Sequence, residues 1–108
     1  MYVNQRLREY EKDQIAEYVE SLYRQKYRTL PHITYTPNGI NISLHLYPVL
    51  ASLSIYKNNG LYNVNYIKYY NLDQEAPLNE EYQFDDINDV YDFIDYAVNT
   101  MKPPIIDY

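Results

Sequence analysis

The sequence predicts an α+β domain of order α-β4-α: a four-stranded antiparallel meander with both helices on one of its faces. Three observations predict it. Apolar residues recur at three- and four-residue steps in one segment near each end of the chain. Two Asn-Gly dipeptides, Asn38-Gly39 and Asn59-Gly60, punctuate the stretch between those segments. Around each dipeptide, apolar and polar residues alternate with the period of a half-buried strand. At 108 residues the chain is read as one domain, 1–108, with room for a single core.

The first helix is expected from about Asn4 to Arg28. Leu7, Ile15, Tyr18, Val19 and Leu22 fall on one side of it. Asn4 is the expected N-cap. Arg24, Lys26 and Arg28 crowd the last turn, where cations oppose the negative end of the helix dipole. Pro31 is expected to stop the element.

The hairpins are tested by register. With Asn38 and Gly39 as loop residues, Ile33 faces Leu44 and Tyr35 faces Ile42. His32 then faces His45 on the opposite, polar side. With Asn59 and Gly60 as loop residues, Ile55 faces Val64 and Leu53 faces Tyr66, while Ser54 faces Asn65 and Tyr56 faces Asn63. A turn around Tyr47-Pro48-Val49-Leu50 joins the hairpins, so that Leu46 meets Ala51 and Leu44 meets Leu53. All four strands then share one apolar face. Tyr35 and Tyr66 belong to that face, and Tyr47, Tyr56 and Tyr69 to the other.

Asn71 to Phe84 is polar, carries Pro77 and reads as a loop. The second helix is expected from about Asp85 to Met101. Its stripe is Ile87, Val90, Ile94, Ala97, Val98 and Met101. Asp85 or Asp86 caps it, and Pro103-Pro104 ends it.

Charge is confined to particular segments. From Asp73 onward there are ten acids and one cation, Lys102, a formal −9. Pro31 to Leu72 has no acid and two lysines, Lys57 and Lys68. The first thirty residues carry six cations and five acids, which gives the overall −6. A field with a direction steers charged partners. It favours a basic protein surface and disfavours nucleic acid or an anionic membrane as direct ligand.

Sixteen tyrosines with no tryptophan give large rings with polar tips, suited to interfaces. The absence of cysteine removes disulfides, thiolate chemistry and Cys-ligated zinc. The N-terminus has no apolar h-region, and no apolar run approaches the roughly 20 residues that span a bilayer. A cytoplasmic protein is the expectation.

Candidate site residues follow from the charge. Asp85, Asp89, Asp92 and Asp95 recur at three- and four-residue steps opposite the apolar stripe. Neighbours at that spacing lie about 5–6 Å apart, close to the step between phosphates of one strand. Asp73, Glu75, Glu80 and Glu81 precede them. Like charges so placed cost a helix a few tenths of a kcal/mol per pair. Tyr91 and Tyr96 flank the stripe and complete a set suited to a basic partner. His32 and His45, if opposite one another, form an incomplete metal pair lacking a third ligand. Both glycines are committed to turns, so no phosphate loop exists, and no nucleophile-base-acid set is readable. The chain is therefore read as no enzyme, with no cofactor and no metal.

Glu20-Ser21-Leu22 resembles the Glu-Ser-Ile signature of the uracil-DNA glycosylase inhibitors. Together with small size and an acidic field, it makes the chain similar to the DNA-mimic inhibitors of phages and mobile elements. The resemblance implies that Glu20 and Ser21 contact the enzyme's DNA-binding loops. It also implies a hydrophobic pocket that encloses an apolar side chain of the enzyme. Here the triplet falls within the first helix, whereas that family carries it in a more extended segment. The expected function is a non-enzymatic inhibitor blocking the DNA-binding groove of a host enzyme, uracil-DNA glycosylase first. The alternatives are an anti-CRISPR protein, an immunity protein or antitoxin against a cationic toxin, and a structural or assembly subunit of a phage or mobile element.

Overall fold

The computed structural model describes residues 6–70 and 77–101. It is α+β, with two helices and a five-stranded antiparallel sheet. The elements are α1 (Glu9–Tyr27), β1 (His32–Tyr35), β2 (Gly39–Leu46), β3 (Val49–Asn58), β4 (Leu61–Tyr70), β5 (Leu78–Phe84) and α2 (Ile87–Asn99). The sheet order is β1-β2-β3-β4-β5, a meander throughout.

The fifth strand corrects the expected loop over residues 71–84. Leu78 to Phe84 pairs with β4, setting Tyr82 opposite Val64 and Phe84 opposite Tyr62. Leu78, Glu80, Tyr82 and Phe84 alternate with Asn79, Glu81 and Gln83, which is strand periodicity. Two adjacent glutamates and the nearby Pro77 obscure it in the sequence.

The second hairpin has the expected register: Ile55 faces Val64, Leu53 faces Tyr66, Ser54 faces Asn65 and Tyr56 faces Asn63. Asn59 and Gly60 have φ of 55° and 77°, the left-handed pair that matches strand twist in a two-residue loop. The first hairpin differs. Its loop is Pro37-Asn38, closed by Thr36 N–H donating to Gly39 O at 2.9 Å. Ile33 therefore faces Ile42, Tyr35 faces Ile40, and His32 faces Ser43, not His45. The shift is two residues, so every side chain keeps its expected face.

Gly39 serves close approach here, not a turn. A Cβ on it would lie 1.9 Å from Ile55 O on β3. The connection between the hairpins is also tighter than expected. Tyr47-Pro48, a cis peptide, forms the turn alone, so Leu46 faces Val49 and Leu44 faces Ala51.

One face of the sheet carries the core. Ile40, Ile42, Leu44, Val49, Ala51, Leu53, Ile55, Val64 and Tyr66 are buried against Ile15, Val19 and Tyr23 of α1 and Val90, Ile94, Ala97 and Val98 of α2. Leu7 and Met101, outside the helices proper, close its ends. Tyr66 is core as expected, whereas Tyr35, on the short edge strand, is 43% exposed.

α1 begins at Glu9. The expected cap, Asn4, lies outside the described residues. Arg8 is the N-cap, and its backbone N–H donates to the Glu11 carboxylate at 3.0 Å. The helix ends before Pro31, at Arg28, whose left-handed φ of 59° turns the chain. α2 is capped by Asp86, whose side chain accepts from Asn88 N–H at 2.9 Å. It stops at Asn99, ahead of Pro103-Pro104, which lie outside the described residues.

A candidate acidic interface on the helical layer

α2 lies over β4 and β5 and beside α1. Phe93 anchors it to the sheet through ring contacts with Tyr66 and Tyr82, at centroid distances of 5.3 and 4.7 Å. With Val90, Ile94, Ala97 and Val98 turned inward, the spacing of the aspartates decides which way each points. Asp89 and Asp92 are exposed, as is Asp85 just before the helix. Tyr96, 52% exposed, rises beside them and touches Phe93 at 5.7 Å. The structure therefore brings Asp89, Asp92 and Tyr96 together on the outward side of the helical layer, with Asp85 exposed just ahead of the cap.

Asp95 is different. It turns toward α1 and accepts a hydrogen bond from Tyr18 Oη at 2.5 Å. Tyr91, half-buried, packs edge-on against the same Tyr18 ring at 5.0 Å. Tyr18 and Tyr91, with Gln14, Glu17 and Asn88, line a shallow open groove of about 520 Å³ between the helices. Glu80 and Glu81 separate. Adjacent strand residues point to opposite faces. Glu80 stays on the helical side and accepts from Tyr82 Oη, whereas Glu81 projects from the far face of the sheet. Asp73 and Glu75 lie outside the described residues. Glu20 and Ser21 are exposed on α1 and Leu22 packs on the core, so the triplet is a turn of helix.

The acids share one mode of satisfaction that sequence reasoning missed. Four carboxylates accept hydrogen bonds from tyrosine hydroxyls: Asp95 from Tyr18, Asp13 from Tyr35 at 2.5 Å, Glu11 from Tyr62 at 2.9 Å, and Glu80 from Tyr82. Among the described residues the one ion pair is Lys12 with Glu9, at 3.2 Å. A phenol satisfies a carboxylate's lone pairs but brings no positive charge. The acids are oriented while their charge stays in place.

The phenols register the same contacts. Their hydrogen bonds to Asp95, Asp13 and Glu80 push Tyr18, Tyr35 and Tyr82 up to about 12. For Tyr62, burial is the first cause and the bond to Glu11 the second, again to about 12. No single-sequence signal pairs Tyr18 with Asp95, Tyr35 with Asp13 or Tyr62 with Glu11, because those bonds join distant elements. Tyr82 and Glu80 are neighbours on one side of β5, a pairing visible only once that strand is recognised.

The cations in reach of α2 serve its carbonyl end. α2 has no basic residue in its last turn. Lys68 of β4 donates to Thr100 O at 2.5 Å, and Lys26 of α1 donates to Asn99 Oδ1. Positive charge there offsets the negative pole of the helix. Burial lowers Lys68 from its ordinary value. The cations thus brace the C-terminal end, and among the described residues none pairs with Asp85, Asp89 or Asp92.

His32 and His45 both lie on the far face but are not cross-strand partners, which removes the geometry of the expected pair. Among the described residues no group of three His, Asp or Glu is placed to hold a metal ion. No helix among them is long and apolar enough to cross a membrane. Comparison with family models, curated proteins and solved structures finds no match for this chain.

Proposed function

We propose that this protein is a non-enzymatic inhibitor that substitutes its helical carboxylates for nucleic-acid phosphates in the basic groove of a DNA-acting enzyme. The observation that carries the reading is the exposed acids Asp89 and Asp92 on α2, with Asp85 just before its cap, none of which has a cation partner among the described residues. The three-residue step from Asp89 to Asp92 on the helix spaces those carboxylates about 5–6 Å apart at Cβ, near the phosphate step of a strand. α2 is held at both ends and along its inner side, so the row is presented on a rigid element. A rigid row loses little conformational freedom on docking.

Tyr96 and the Tyr18–Tyr91 groove supply short-range contact beside the charge. A guanidinium stacks on tyrosine faces while pairing with carboxylates, which matches arginine in a DNA-binding groove. The target named first is uracil-DNA glycosylase, in the cytoplasm of a bacterial host. Glu20 and Ser21, exposed on α1, extend the contact surface in this reading.

The test is titration of purified uracil-DNA glycosylase with the protein while uracil excision is followed. The reading predicts loss of excision that weakens as salt rises, because charges at a docking rim act through a screened field. Undiminished excision at a large molar excess removes this enzyme as the target.

A further inference from the structure

The sheet face opposite the helices carries a second surface, independent of the inhibitor reading. Its residues are set by the register. They alternate with the core residues along all five strands, from β1 at one edge to β5 at the other, and are mostly hydroxyls and amides, as at Ser43, Ser52, Ser54, Asn63, Asn65 and Asn79. None of them belongs to the core, and all but Asn63 are exposed or half-exposed. Glu81 is the one formal charge in the set. A solvated sheet face ordinarily carries Lys, Glu and other charged residues, which also deter unwanted association. This face omits them from a chain that is 22% charged.

We propose that this open sheet face is a self-association surface, and that its occupant is the same face of a second copy of this chain. Three arguments select that occupant. A two-fold interface must be complementary to itself. Seryl, threonyl and amide groups each offer both donor and acceptor, so a surface built of them can bond to its own copy. A row of carboxylates cannot.

Charge gives the second argument. At −6 per chain, two copies repel through their helical layers, and the nearly neutral sheet face is where they can meet. Size gives the third. Five strands spaced about 4.8 Å and averaging roughly eight residues make a face of about 600 Å², so two copies cover about 1,200 Å², the lower end of stable interfaces. Leu50, Ile67 and Tyr69 cluster on it, because Leu50 faces Tyr69 and Ser52 faces Ile67. Ile67 and Tyr69 are 37% and 40% exposed, and their burial supplies the desolvation that polar pairs do not. In such a dimer both α2 helices face outward.

Sedimentation equilibrium of the full chain across a concentration series, at low and high salt, tests the proposal. The expected result is a monomer–dimer equilibrium in the micromolar range, undiminished by salt. Ser52→Lys and Asn65→Lys, each burying an unpaired ammonium in the contact, are expected to weaken association at least tenfold with unchanged circular dichroism. A wild-type chain that stays monomeric to several hundred micromolar overturns the proposal. So does a dimer that both folded variants retain, which would place the contact elsewhere, such as the edge of β1. If a lysine variant fails to fold, the wild-type series still decides between monomer and dimer, and Glu81→Lys supplies a further exposed position.

Discussion

The helical layer and the open sheet face lie on opposite sides of the same five strands and treat charge in opposite ways. On the helical side carboxylates are numerous, and four of them, Asp13, Glu11, Glu80 and Asp95, are held by tyrosine hydroxyls, satisfied without being neutralised. On the open face charge is nearly absent, and hydroxyls and amides take its place. One side projects a field and the other carries almost none. The difference shows what the abundant tyrosine does in an acidic chain. A lysine in place of Tyr18, Tyr35 or Tyr82 would satisfy the same oxygen and cancel the field it belongs to.

Substitutions can break this contrast at several depths. The largest expected loss of stability comes from the scaffold shared by both sides. Gly39→Ala forces a methyl group against the backbone of β3, and overpacking of that kind costs about 1–3 kcal/mol. Chemical denaturation should show the midpoint falling with an unchanged slope.

Tyr62→Phe comes next. It strips a hydrogen bond from Glu11, which is 8% exposed and keeps only the Arg8 N–H among the bonds described. An expected loss of about 1–2 kcal/mol in denaturant unfolding follows from leaving a buried acceptor less satisfied. Tyr18→Phe touches a more accessible pair, so about 1 kcal/mol or less is expected, again by denaturant unfolding. Its sharper effect should be on α2, with faster amide exchange near Asp95.

Replacing Asp85, Asp89 and Asp92 together by Asn should shift stability by about 0.5 kcal/mol or less, because relief of like-charge repulsion is opposed by loss of Asp89 from the first turn, where it complements the positive end of the helix dipole. Thermal unfolding checks this. Asp95 is kept out of that set because it holds Tyr18.

The tyrosine–carboxylate bonds also set an alkaline limit. Tyr18, Tyr35, Tyr62 and Tyr82 titrate near 12 in the folded chain and near 10 when unfolded. Below pH 10 both states hold the phenolic protons, and the contribution to stability is complete. Between 10 and 12 the unfolded chain releases protons that the folded chain keeps, so stability falls as pH rises through that window. Denaturant midpoints measured across pH 9 to 12 should decline with this sign, and tyrosinate absorbance should lag that of the unfolded chain. Phe at Tyr18 and Tyr35 should flatten the decline.

Much of this frame was legible in the sequence. The helical stripes, the Asn59-Gly60 hairpin and the common apolar face all follow from local periodicity and turn chemistry, and those act within a few residues. The first hairpin slipped by two because Asn38-Gly39 carries the same turn signal as Asn59-Gly60. Gly39 is in fact demanded by a backbone from another strand, a requirement with no local signature. β5 was hidden because its solvent-side and core-side residues include three polar neighbours in a row, Asn79, Glu80 and Glu81. The outward direction of Asp89 and Asp92 on α2 was readable from spacing. The diversion of Asp95 to Tyr18 was not, because it depends on how two helices meet. The open face could be listed residue by residue, but its neutrality acquires meaning only once β5 extends it.

The most direct test of the central claim is capture from bacterial lysate by the tagged protein and by its Asp85, Asp89 and Asp92 to Asn variant, each with and without added duplex DNA. The account predicts that the wild-type protein retains a nucleic-acid enzyme that DNA or raised salt displaces, and that the variant retains little or none of it. Equal capture of the same enzyme by both proteins, untouched by DNA, would contradict the account.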